Sequence, residues 1–183
     1  MRRNPTAERR RVKSKMSEAI ELFEEVSNPL DAVEDLFQSY KWVFSRVNTD
    51  ELTVQVAGKY ESYDIGMIWD EETNCLQFIA KYPFAVHSRN MAQASEALMR
   101  INQKLWLGHF VLSPEENIPA LRHTSLFRGF FYGSGAEQIE DLVDIAIRQA
   151  EQFYPVFEWL SAPTTDQDNS PLDLVLMQSA GES

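Results

Sequence analysis

LMRINQKLWLGHFVLSPEENIPALRHTSLF, residues Leu98 to Phe127, is the stretch whose reading decides the fold. Its first part places Leu98, Ile101, Asn102 and Leu105 on one side of a helix, and Gly108 supplies the exit from that helix. HFVL and IPALRHTSLF then read as two strands joined across the polar turn PEEN. A four-residue turn opposes His109 to Arg122, which sends His109 and His123 to opposite faces of the hairpin. A helix running directly into a hairpin calls for a sheet on which helices pack.

Upstream, Ser88 is a candidate cap for the same helix, which with Met91 and Ala94 extends to about five turns and is strongly amphipathic. Before it lies a meander. WVFSRV leads into Leu52, Val54 and Val56, which alternate with Thr53, Gln55 and Ala57 in the period of a half-buried strand. Gly58 and Lys59 supply a tight turn. Tyr63, Ile65, Met67 and Trp69 share one face of the next strand. DEETN turns the chain again before Leu76, Phe78, Ala80, Tyr82 and Phe84 do the same. Pro83 lacks a backbone donor, so the end of this strand is at an edge or already leaving the sheet.

The meander is preceded by a helix with Asn28 as cap, Pro29 at the first position and Asp31 where a capping-box carboxylate sits. Leu30, Val33, Phe37 and Tyr40 form its stripe. Downstream of the hairpin, Ser134 and Glu137 make a capping box for a long helix marked by Ile139, Leu142, Val143, Ala146, Ala150, Phe153, Phe157 and Leu160. Pro155 inside it removes one hydrogen bond and predicts a kink. The order is α-β-β-β-β-α-β-β-α, an α+β fold with helices packed on an antiparallel sheet.

The chain divides into a basic tail over 1–15, one domain over 16–161, and a linker with a short apolar segment over 162–183. With 183 residues, 44% of them hydrophobic, it has the length for one sizeable core. Residues 1–15 hold seven Lys or Arg against one Glu, +6; the remaining 168 hold ten against 27, −17. The tail cannot bury an apolar face and is expected to be disordered alone. It suits nucleic acid or a membrane surface, or it is an upstream extension with Met16 as the natural start. SEAIELFEEV, from Ser17, can begin a short helix capped by Ser17. At the other end, Leu172, Leu174, Val175, Leu176 and Met177 can dock on the domain, on a second subunit, or in a partner's groove.

The acidic body repels phosphate backbones and anionic lipid and favours a protein or peptide partner over nucleic acid. No apolar run approaches the roughly 20 residues of a membrane helix, and no hydrophobic signal region follows the first arginines. One cysteine, Cys75, permits neither an internal disulfide nor a cysteine cage for metal, in keeping with a reducing, cytoplasmic setting. His87, His109 and His123 fall in no metal-ligating spacing. Ser125 and Ser134 lack a nucleophile-elbow context, and Cys75 has no basic neighbour to activate it. The glycines of FYGSGAEQ lack the lysine and spacing of a phosphate loop. Glu115 with Glu116, and Glu140 with Asp141, read as solvated charges. No catalytic, cofactor or metal residue is assigned.

Trp42, Trp69, Trp106 and Trp159 lie near the ends of four different elements, where large aromatics usually join the core. The helix stripe and the exit turn place Trp106 near the sheet. If the stretch carries a functional residue, Trp106 at a partner surface is a better choice than His109 as a ligand.

NPLDAVEDLF, DELTVQVAGKY and INQKLWLGHF, with FRGFFYGSGAEQIEDLVDIAIRQAEQFYPVFEWL, resemble the YbjN family of bacterial proteins over roughly Asn28 to Leu160. The domain of that family is similar to type III secretion chaperones. The resemblance implies a sheet with helices packed on it, homodimerisation, and a non-enzymatic role binding a protein or peptide segment. Candidate contact residues are Trp106, Leu172, Leu174 and Val175. The family's usual description implies an alternative, a regulator of stress or motility responses acting through an unknown target or through the basic arm on nucleic acid.

Overall fold

The computed structural model describes residues 28–127 and 134–163. The basic tail, the Ser17 helix and the segment with Leu172, Leu174 and Val175 lie outside the described residues, as does the Ser134 side chain expected to cap the last helix.

Helix α1, Pro29–Ser39, starts as its sequence dictates. The Asn28 side-chain oxygen accepts from Leu30 N at 3.0 Å, and its amide nitrogen donates to Thr49 O at 2.8 Å, so one residue both caps the helix and ties it to the first strand turn. Asp31 does not complete a capping box with a neighbour in the helix. It faces Arg46, which holds Asp31 at 3.5 Å and Glu34 at 2.9 Å. Leu30, Val33 and Phe37 are fully buried, whereas Tyr40 lies beyond the helix and is half-exposed. Its ring stacks on Trp42 and its hydroxyl bonds to Glu140.

Strands β1 Phe44–Asn48, β2 Glu51–Ala57, β3 Ser62–Asp70 and β4 Cys75–Lys81 form the expected antiparallel meander. In β2, β3 and β4 buried residues alternate with outward ones, the pattern of a sheet with one covered face. In the turn after β3 the Asp70 carboxylate accepts from Thr73 Oγ1 at 2.8 Å and Glu72 N at 3.1 Å. These bonds, that from Thr73 first, hold its carboxyl below the usual range. Pro83 follows the end of β4, which lies between β3 and a later strand, so the chain has left the sheet there.

The second helix is shorter than its stripe suggests. His87, not Ser88, caps a 3-10 turn over Ser88–Asn90, its Nδ1 accepting from Arg89 N at 3.3 Å. Helix α2 then covers Met91–Asn102 and buries Ala94, Ala97 and Ile101. It ends at Asn102, whose side chain fastens the strand that follows. Its amide donates to Phe110 O at 3.0 Å and accepts from Phe110 N at 2.7 Å, as a neighbouring strand would. Gly108, at φ +71°, turns the chain into the strand; a Cβ there would lie 3.0 Å from Arg122 O.

Strands β5 His109–Leu112 and β6 Pro119–Leu126 close the hairpin with His109 opposite Arg122, as the turn length requires. The sheet order is β1-β2-β3-β4-β6-β5, antiparallel throughout. Helix α3, Ser134–Ser161, runs as one element through Pro155 and buries Ile139, Val143, Ala146, Ala150, Phe153, Val156, Phe157 and Leu160. Its far end is fastened by Asn90, a buried polar residue whose amide donates to Leu160 O and Ala162 O, both at 2.9 Å. The three described helices contribute to one core built on the face of Leu52, Ile65, Met67, Phe78 and Phe110. None of the described helices is long and apolar enough to cross a membrane.

Two close contacts make predictions. Gly58 closes the β2–β3 turn through Gly58 N to Glu61 O at 2.8 Å. A Cβ there would overlap the Glu151 carboxylate and lie 2.5 Å from the Tyr63 ring and 2.9 Å from Glu61 O. Gly58→Ala is expected to cost about 1–3 kcal/mol, read as a lower midpoint in urea. Trimming Glu151 to Ala recovers only part of it, because the ring and the backbone carbonyl remain. Asn102→Ala leaves both backbone groups of Phe110 without their side-chain partner and is expected to cost about 2–3 kcal/mol in the same measurement.

Candidate functional site: the helix-free face of the sheet

Alternation that fills one face must empty the other. Residues in register across the outward face run Ser45, Thr53, Gly66, Ile79, Arg122 and His109, one from each strand from edge to edge. A second row runs Gln55, Asp64, Lys81, Ala120 and Val111, exposed from β2 to β4 and closed at Ala120, which is buried. Among the described residues no helix crosses these rows. Ile68 is exposed there, Ile79 is half-buried, and Val43, just before β1, is 85% exposed.

Gly66 shapes this face. It stands in mid-strand with open space where a Cβ would project, and nothing lies within 4 Å of that position. A side chain missing from the centre of a pleated surface leaves a hollow flanked by its neighbours. The result is a groove of about 620 Å³ over β1 to β4, within the roughly 300–1,000 Å³ range of ligand sites. Its apolar parts are Val43, Ile68 and Ile79; Ser45 and Thr53 supply hydroxyls. Glu51 lies at one end, and Asp64 with its register partner Lys81 at the other. Gln55 Nε2 donates to Asp64 Oδ1 at 3.0 Å, which fixes that carboxylate at the rim.

The groove has an apolar floor, neutral hydrogen-bonding groups and a few separated charges. It has no nucleophile paired with a base. Among the described residues there is no group of three or more His, Cys, Asp or Glu placed to hold a metal ion. Cys75 lies on the same outward face, partly buried, in register with Asp70 and Leu126. Such an arrangement suits an extended chain that lays alternate side chains into a hollow.

Trp106 is elsewhere. It projects fully into solvent, at 101% relative exposure, from the link between α2 and β5 at the opposite edge of the sheet. Placing it against the sheet was wrong because α2 stops four residues earlier, so the helical stripe does not reach it. Met99, also exposed, lies on α2 nearby in sequence. Trp69, by contrast, is buried against Phe127, their ring centroids 6.4 Å apart. The groove residues were missed because the strand reading followed only the apolar face. The available signal was Gly66 inside the otherwise continuous strand YDIGMIWD.

His109 and His123 do not form a site. His109 faces out with Arg122, while His123 opposes Phe78 on the covered side and bonds to Ser125 Oγ at 2.8 Å. Burial, and then the charge on His109, lower the His123 pKa from its ordinary 6.5. A folded-state pKa below the unfolded one means that the unfolded chain binds the proton more readily. The stability at stake is therefore whole above 6.5 and is lost as pH falls below it. His123→Gln is expected to reduce the loss of thermal midpoint between pH 7.5 and pH 5.5, measured against the parent chain by calorimetry.

The YbjN family model, described as "Putative bacterial sensory transduction regulator", matches residues 29–159. Among solved structures, one described as "Crystal structure of YbjN, a putative transcription regulator from E. coli" aligns with a TM-score of 0.46 and 18% identity, over 68% of this chain and 93% of that one. No curated protein matches.

Proposed function

The chain belongs to the YbjN family, and we propose that it regulates without catalysis, as an interaction module that takes an extended segment of a cytoplasmic protein into the groove on the helix-free sheet face. The hollow at Gly66 carries this reading. A strand-forming residue would fit there unstrained and would improve the strand, since glycine in a strand interior costs roughly 0.5–1 kcal/mol. A glycine kept at that expense leaves room for something other than the chain's own side chain. The apolar floor gives affinity by desolvation, and the rim hydroxyls and Gln55 give an extended backbone its hydrogen-bond partners.

A second reading rests on the +6 charge of residues 1–15, against −17 for the remainder. The arm could contact nucleic acid while the body binds a protein. Removing residues 1–15 tests it: retention on DNA or RNA at low salt has to vanish with the arm and fall steeply with added salt.

For the groove, the decisive variant is Gly66→Ile. It fills the hollow with a β-branched residue and is expected to keep or raise the thermal midpoint while abolishing capture of the specific partner from a native lysate. A captured set identical to that of the parent chain would sink the groove as the binding site. Trp106→Ala, at the other edge, serves as the comparison and is expected to leave groove binding unchanged.

A further inference from the structure

Two cations stand on the helix-free face without a counter-ion. Lys81 at the end of β4 and Arg122 on β6 are exposed, and among the described residues neither makes an ion pair. Asp64, the register partner of Lys81, is bonded to Gln55 instead. Next to them the floor turns apolar: Ile79 is in register with Arg122, and beyond it come the hollow at Gly66, Ile68 and Val43. From β6 towards β1 the face is therefore cationic first and apolar second.

The last helix delivers the chain to the cationic end. Leu160 O accepts from His87 N at 3.1 Å, Val86 N donates to Asn117 O at 2.9 Å, and Asn117 stands just ahead of Ala120, the register partner of Lys81. Asn90 holds Ala162 at that corner. Beyond it the sequence is PTTDQDNSPLDLVLMQS, residues 163–179, with Asp166, Asp168 and Asp173 and no Lys or Arg. Two carboxylates come first, and Leu172, Leu174 and Leu176 follow at alternate positions. That is the order in which the face offers cations and then an apolar floor. The lengths agree as well. At about 3.3 Å per residue the chain reaches about 20 Å from Ala162 by Asp168 and about 33 Å by Leu172, enough to round the end of the sheet. Leu172 to Leu176 then spans about 13 Å when extended, against about 14 Å from β4 to β1 at ordinary strand spacing.

We propose that residues 163–178 fold back over the end of the sheet and occupy the groove of their own chain, with Asp166 and Asp168 at Lys81 and Arg122, Leu172 on Ile79, Leu174 in the hollow at Gly66 and Leu176 against Val43. This placement rests on the reading of the groove as a docking site and gives that site a resident occupant. A segment tethered so closely competes at an effective concentration in the millimolar range. A partner segment therefore enters only by displacing it, and a tail docked about 90% of the time weakens the partner's apparent affinity about tenfold. The groove is a guarded site. Because the contact joins opposite charges, added salt loosens it.

Isoleucine methyl spectra of the full chain test the placement. Leu174→Asp is expected to shift the signals of Ile68 and Ile79, which line the groove, and to leave those of Ile101 and Ile139, fully buried in the core, unmoved. In a Cys75→Ser background, Thr53→Cys with Leu174→Cys is expected to close a disulfide within one chain on mild oxidation, since Thr53 is in register with Gly66. Thr124→Cys with Leu174→Cys, on β6 and outside the groove, is not. Adding Asp166→Lys and Asp168→Lys slows the first disulfide about fivefold, and reversing Lys81→Glu and Arg122→Glu as well restores it. Methyl signals of Ile68 and Ile79 that ignore Leu174→Asp, with no disulfide inside the chain, overturn the placement and leave the groove to the Gly66→Ile capture experiment. A disulfide that forms only between chains overturns it too, because the segment then lies in another copy's groove. If the two methyls respond while Gly66→Ile leaves capture unchanged, the segment is docked and the partner binds elsewhere.

Discussion

Sheet and long helix are held together at Tyr82. Its hydroxyl donates to Ala150 O on α3 at 2.7 Å, inside the core. Its ring lies 5.1 Å from Phe157, 5.6 Å from Tyr63 and 6.2 Å from Phe110. One side chain just past β4 therefore touches β3, β5 and α3 at once. A buried phenol without a partner is costly, and a bonded one is specific. Burial, reinforced by the charges of Tyr63 and Glu151, pushes its ionisation well above the ordinary range, so the hydroxyl remains a donor. The aromatic packing fixes how α3 lies on the sheet, and that placement decides which face is left bare.

The asymmetry between the two faces follows. The three described helices cover one side of the six-stranded sheet. The other side is made of residues that tolerate water, interrupted by Val43, Ile68 and Leu126. The hollow at Gly66 and the exposed Trp106 lie in different regions of the surface that this core leaves outside it.

The architecture was legible because strong alternation leaves little freedom. Leu52, Val54 and Val56, then Tyr63, Ile65, Met67 and Trp69, are all on the buried side, and the hairpin register followed from the turn length alone. What failed were the ends of elements. Asn102 satisfied the helical stripe by position, yet its amide serves Phe110; α2 stops there, and Trp106 beyond it is in solvent. Ser88 yielded the cap to His87, and Asp31 preferred Arg46, a residue fifteen positions away. Asn102 and Asp31 each took a partner outside the helix over a local one, and local patterns contain no information about such partners, whereas the His87 cap is a shift of one position. Gly66 was hidden for another reason: the strand was read for what it buries, whereas the groove depends on a missing side chain.

The strand order also bears on how the chain reaches this structure. Strands β1 to β4 are joined by short turns and can pair as they are made, and β5 with β6 form a second local unit. The two units meet in one ladder, β4 against β6, where Cys75 pairs with Leu126 across 51 positions of sequence. Closing that loop costs entropy before its contacts repay anything. Until it closes, the inner edges of β4 and β6 are both open. The chain's greatest exposure to mispairing therefore lies midway in folding, in the interval between completing two sound halves and joining them.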